Sequence, residues 1–75
     1  PNQGRFTLEI NTQSPDVLTM KVYDAMKSVV YSEDNIRVNG PFKNQVDLGQ
    51  LPNGIYFMVL EGDTERYFHK LVIRK

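Results

Sequence analysis

Apolar residues recur at nearly every second position through most of this chain, and Pro, Gly, Asn and Asp cut the alternation at short intervals. That pattern suits half-buried strands joined by tight turns and leaves little room for helices. From Arg5 to Thr12, Phe6, Leu8 and Ile10 fall on one side of an extended chain, with Arg5, Thr7 and Glu9 on the other. Ser14-Pro15-Asp16 then interrupts the run, because Pro15 has no amide hydrogen to give and Ser and Asp favour turns. Val17 to Asp24 fits two readings. As a helix, Leu18, Val22, Ala25, Met26 and Val29 would share a stripe behind a Ser14-Pro15 start. The composition favours a strand, since Val17, Thr19, Val22 and Tyr23 are β-branched or aromatic and Val29-Val30-Tyr31 continues in kind. Ala25 to Ser28 then becomes a hairpin connection.

Asn35 to Val38 reads as a short strand or extended link, stopped by Asn39-Gly40-Pro41. Alternation resumes through Phe42, Asn44, Val46 and Leu48. Leu51-Pro52-Asn53-Gly54 has the residue order of a type I or II turn. The segments Gly54–Leu60 and Tyr67–Ile73, joined by Glu61-Gly62-Asp63-Thr64-Glu65-Arg66, predict a hairpin. Both carry bulky residues on both faces, which predicts that they sit centrally or are covered on two sides.

The chain has 75 residues, enough for a single domain spanning 1–75. About seven short strands predict an all-β fold, a compact antiparallel sandwich or barrel. The opening Pro1-Asn2-Gln3-Gly4 lacks an initiator Met, as expected of a piece of a longer protein. Zero cysteines exclude disulfides, thiolate metal sites and a cysteine nucleophile. Nine basic and nine acidic residues, scattered singly, supply no basic stripe for nucleic acid. No apolar run approaches the ~18 residues of a spanning helix.

Residues with catalytic chemistry are sparse. The single histidine, His69, lies in an apolar strand; a pocket role would need partners from elsewhere, and it is expected to be a packed or edge residue. One His and no Cys do not supply the usual nitrogen and sulfur ligands of zinc. Glu33-Asp34-Asn35 groups oxygen donors as a calcium loop would, but lacks EF-hand spacing and reads as a solvated turn. The five glycines stand apart at turns, so there is no phosphate-cradling loop. No cofactor and no catalytic residue is expected. Tyr23, Tyr31, Tyr56 and Tyr67 could form a sugar-binding platform if they shared one face; half-buried cross-strand packing is the competing role.

Several segments, in order, resemble one family. Pro1-Asn2-Gln3-Gly4-Arg5-Phe6 resembles an opening Pro-x-x-Gly-x-Phe. Val22-Tyr23-Asp24-Ala25-Met26 is similar to a strand-then-turn segment, Leu51-Pro52-Asn53-Gly54-Ile55-Tyr56-Phe57 to a Leu-x-x-Gly-x-Tyr segment, and Lys70-Leu71-Val72-Ile73-Arg74-Lys75 to a basic and apolar terminal strand. The family is the C-terminal sorting domain of the type IX (Por) secretion system of Bacteroidetes. Its motif falls here on Pro1, Gly4, Phe6, Gly54 and Tyr56. The family usually has glycine where this chain has Lys27, a departure that predicts a different turn there.

The resemblance implies an Ig-like β-sandwich that acts as an address label without catalysis. Cargo that has reached the periplasm would be recognised by the outer-membrane translocon, its shuttle protein and a sortase. The label would be cleaved off, and the cargo would be secreted or held on lipopolysaccharide at the cell surface. An exposed edge strand offers the physical means of recognition, through unpaired N–H and C=O groups. Tyr67 to Lys75 is the candidate, with Lys70, Arg74 and Lys75 as positive contacts and Leu71, Val72 and Ile73 divided between core and partner. Two other classes fit the residues: a carbohydrate-binding or adhesive accessory domain, and a module that dimerises through an open edge. Gly54 is expected to satisfy a backbone angle, Tyr56 to pack, and Phe6 to open the first core strand.

Overall fold

A computed structural model describes residues 4–75. Six strands are found among them: β1 (Arg5–Asn11), β2 (Asp16–Tyr23), β3 (Val29–Val38), β4 (Pro41–Asp47), β5 (Gly54–Glu61) and β6 (Arg66–Ile73). They form two antiparallel sheets. One has the order β3-β2-β5-β6, and the other pairs β1 with β4. The all-β fold read from the alternation is therefore present, as a sandwich and not a barrel, with six strands in place of about seven.

The strand count falls because Val29–Val38 is continuous. Glu33-Asp34-Asn35, read as a solvated turn, lies inside β3. Its register against β2 slips there, from Met20 opposite Glu33 to Leu18 opposite Ile36, and Asn35 takes φ 58. The two turn-forming residues make a β-bulge, which needs one residue off the ladder and tolerates a left-handed Asn.

Alternation delivers the core. Leu18, Met20 and Val22 of β2 meet Tyr56, Met58 and Leu60 of β5 and Leu71 and Ile73 of β6. Leu8 and Val46 close over them from the smaller sheet. Leu18, Val22 and Leu48 are fully buried. Each such side chain contributes roughly 1.5–3 kcal/mol relative to exposure. Phe6 packs against this core at the start of β1, as the sequence suggested.

The connections hold the layers together. Thr12 and the β3–β4 turn bond reciprocally: the Thr12 N–H donates to Gly40 C=O at 3.0 Å, and the Gly40 N–H donates to Thr12 Oγ1 at 3.0 Å. At the β2–β3 hairpin, the Lys27 N–H donates to Asp24 C=O, while Asp24 Oδ1 accepts from the Met26 and Ser28 amides. Lys27 adopts φ 68. The expected change of turn has not occurred: lysine occupies the left-handed position that glycine suits, in a three-residue loop closed by the Asp24 carboxylate.

The Leu51-Pro52-Asn53-Gly54 turn also needs correction. The hydrogen-bonded turn runs earlier, with the Leu51 N–H donating to Leu48 C=O at 3.0 Å. Gly54 is the first residue of β5 and does not have a left-handed φ, so backbone angle is not its reason. Tyr56 packs, as expected, and its hydroxyl donates to Pro52 C=O at 2.7 Å, tying the loop to β5.

Gly4 is held by its surroundings. Its φ is 95, and a Cβ there would lie 2.8 Å from Leu48 and Gly49 backbone atoms. Its carbonyl accepts from the Leu48 N–H at 2.6 Å. Pro1 of the same motif lies outside the described residues.

Candidate functional site

Two strands cannot cover four. The β1-β4 sheet lies over one face of β3-β2-β5-β6, and the opposite face of the larger sheet has no layer upon it among the described residues. The expectation that β5 and β6 are central or doubly covered is thus half right: β5 lies between β2 and β6, but β6 is an edge strand and its outer side is bare. Phe68 is 66% exposed there, and Val72 and Ile55 are exposed beside it.

The terminal strand divides by parity. Leu71 and Ile73 point into the core, whereas Phe68, Lys70 and Val72 point to the outer face. Arg74 and Lys75 follow the strand and are exposed, with the Lys75 N–H held by Asn53 Oδ1 at 3.1 Å. Of the six residues selected from the sequence, Lys70 and Val72 share the outer face. Phe68, within the Tyr67–Lys75 candidate surface, and Tyr23 stand beside them, together with residues that sequence reasoning missed: Ile55, Phe57 and Val59 on β5 and Lys21 on β2. Phe57 and Phe68 stack with centroids 6.0 Å apart. Only the strand register, which places Lys21 opposite Val59 and Val59 opposite Phe68, assembles this group.

The rim of β6 is regular. In the β5–β6 turn the Gly62 N–H donates to Glu65 C=O at 2.8 Å. Hydrogen-bonded and non-hydrogen-bonded pairs alternate from there along an antiparallel ladder. Tyr67, His69 and Leu71 therefore bond to β5, and Phe68, Lys70 and Val72 turn their N–H and C=O groups to the open side. The pairing runs from Arg66 to Ile73 without a slip. The other edge, β3, is broken by two register slips against β2, one between Leu18 and Met20 and one between Val22 and Tyr23. Bulged edges resist strand addition and regular ones invite it.

A shallow groove of about 380 Å³ runs between the β1 and β6 edges, with Phe6, Leu8 and Ile10 on one wall, Tyr67 and His69 on the other, and Met58 in its floor. His69 is exposed on this edge strand, in keeping with the edge role expected of it. The tyrosines do not form a platform. Tyr56 is buried and Tyr31 and Tyr67 pack against the core, leaving Tyr23 on the outer face. Burial raises the Tyr31 phenol above its ordinary pKa, and the Tyr31 hydroxyl donates to Glu33 Oε1 at 3.0 Å.

The most heavily hydrogen-bonded carboxylate is structural. Asp16 accepts from the Val17 and Asp63 amides through Oδ1, at 2.8 and 3.1 Å, and from the Thr64 amide and hydroxyl through Oδ2. These bonds, the Asp63 amide foremost, hold its pKa below the ordinary 3.8 against the opposing effect of burial. A hollow of about 540 Å³ opens beside it, between Arg37 and Thr64. Asp16 has its oxygens committed to the turn. No three carboxylate or imidazole groups converge as metal ligands among the described residues.

The family described as the secretion system C-terminal sorting domain matches residues 1–74, nearly the whole chain. The chain belongs to this family. No match was found among curated proteins or among solved structures. Membership of the sorting-domain family makes the chain a C-terminal signal of type IX secretion. It implies interaction with the secretion machinery, and a secreted or cell-surface protein that passes through the periplasm. Among the sorting-domain motif residues, Gly4, Phe6 and Tyr56 have structural duties: Gly4 fits where no side chain can, Phe6 packs against the core, and Tyr56 ties a loop.

Proposed function

We propose that this chain is a non-catalytic export label whose open β6 edge is gripped by the outer-membrane translocon and its shuttle protein, after which a sortase removes it from the cargo. The observation that carries the proposal is the unbroken register of β6 at a free sheet edge, beside a bulged β3. A partner strand placed against Phe68, Lys70 and Val72 would gain main-chain hydrogen bonds at every second residue, and the side chains on the outer face would add selectivity. Lys70, Arg74 and Lys75 supply positive contacts around that strand. Leu71 and Ile73 serve the grip indirectly, by anchoring β6 to the core. Deletion of Leu71–Lys75 would therefore confound recognition with folding, and point substitutions on the open side are the cleaner probe.

Fusing residues 1–75 to the C-terminus of a periplasmic reporter in a type IX-competent bacterium tests the proposal. Reporter is expected in the medium or on the cell surface, freed of the domain. Retention in the periplasm with the folded domain attached contradicts it. An edge-to-edge dimer through β6 would use the same backbone groups, and light scattering across a concentration series separates that outcome from a monomeric label.

A further inference from the structure

The outer face of β2, β5 and β6 combines exposed apolar area with unpaired positive charge. Phe68, Val72 and Ile55 are 66%, 37% and 45% exposed, and the half-buried Phe57 and Val59 join them into one surface. Contiguous apolar area of this kind on a small domain marks an interaction surface. Four charged side chains share these outer sides. Arg66 pairs with Glu61 at 3.8 Å, and among the described residues no carboxylate pairs with Lys21 or Lys70. The face is therefore greasy at its centre and carries a surplus of two positive charges.

The register fixes their spacing. Lys21 stands level with Phe68, two strands away, and Lys70 lies two residues further along β6. With strands ~4.8 Å apart and ~3.4 Å per residue, the two lysine Cα atoms are about 12 Å apart. Phe57, Phe68 and Val59 lie between them.

We infer that this face docks a protein surface of the export machinery that is apolar at its centre and carries a carboxylate on either side, matched to Lys21 and Lys70 across the Phe57–Phe68 pair. The inference rests on the sorting reading above and specifies the partner that such a label meets. Charge disfavours a second copy as the occupant, since face-to-face packing would bring four unpaired lysines together. The pleated sheet face, with a hollow of about 240 Å³ beside Lys21, Tyr23 and Val59, suits another sheet or a helix. It lacks the protruding apolar element with which a domain enters a bilayer, so an anionic lipid surface is the lesser fit.

The test uses the full chain fused to the secreted reporter in a type IX-competent bacterium. Lys21→Glu with Lys70→Glu is expected to lower reporter export about tenfold, through like-charge repulsion. Lys21→Arg with Lys70→Arg, and Gln50→Glu at an exposed site remote from this face, are expected to keep export near the unaltered level. Circular dichroism melting of each purified domain establishes that the variants fold. Replacing Phe68 with photoreactive benzoylphenylalanine is expected to give, on irradiation of exporting cells, an adduct to a peptide rich in Asp or Glu. The double glutamate variant should abolish that adduct. Undiminished export of the folded double glutamate variant, a lipid adduct, an adduct to a second copy, or no adduct at all would each overturn the inference. If the unaltered fusion is exported and only these outcomes fail, the face proposal falls alone; if the unaltered fusion is itself retained, the sorting reading falls with it.

Discussion

Asp16 and Thr64 stand at opposite ends of a sequence separation of 48 residues, yet the Asp16 carboxylate receives both the amide and the hydroxyl of Thr64, at 3.2 and 3.3 Å. The start of β2 is thereby fastened to the β5–β6 turn that launches the candidate edge. Gly62 makes the approach possible, because a Cβ at that position would lie 2.5 Å from Asp16 Oδ2.

Asp16→Asn replaces an acceptor oxygen with an amide that faces donors, and it is expected to lower the melting temperature at neutral pH by several degrees. Folding lowers the Asp16 pKa below 3.8. Its contribution is therefore complete above that value and is lost as pH falls through the lower folded-state value. Melting curves of the two proteins should differ most near neutrality and converge on acidification. A gap that stays constant down to the most acidic measurable point would refute the assignment.

Lys27→Gly should stabilise the domain. Lys27 sits at φ 68, where a side chain is strained, and the Asp24 carboxylate already fixes the rest of the turn. Relief of that strain, less the entropy glycine loses on folding, amounts to about 0.5–1 kcal/mol. Chemical denaturation checks it, and an unchanged or lower midpoint counts against the left-handed assignment.

Gly4→Ala acts in the other direction. The left-handed φ of 95 and the 2.8 Å approach to the Leu48–Gly49 backbone leave a methyl group no room without moving β1. A loss of about 2 kcal/mol or more is expected, read as an earlier denaturation midpoint. Wild-type stability in the alanine variant would show that the family's opening glycine serves recognition and not packing.

Much of the fold was legible because local chemistry and the fold agree. β1 follows from the alternation of Phe6, Leu8 and Ile10, and the β5–β6 hairpin from Gly62-Asp63 between two apolar runs. The misreadings share a cause. Asp34-Asn35 carries the same conformational signal whether the chain reverses or bulges, and only pairing with β2 selects the bulge. Likewise, Phe68 is apolar whether or not a layer covers it; that depends on the smaller sheet having two strands. Lys70 and Val72 could be selected from the terminal segment alone. Lys21 could not, because its place beside Phe68 exists only through the register of three strands.

Recognition of β6 would run through its open backbone groups. Val72→Pro removes an N–H on the open side while leaving the β5 ladder intact, and proline is tolerated on such an edge. The decisive measurement is the amount of reporter exported by the Val72→Pro fusion, set against a melting curve of the same domain. Near-unaltered melting with export reduced to the level of a reporter without the domain is the predicted result. Full export from a variant that lacks this donor would contradict the account.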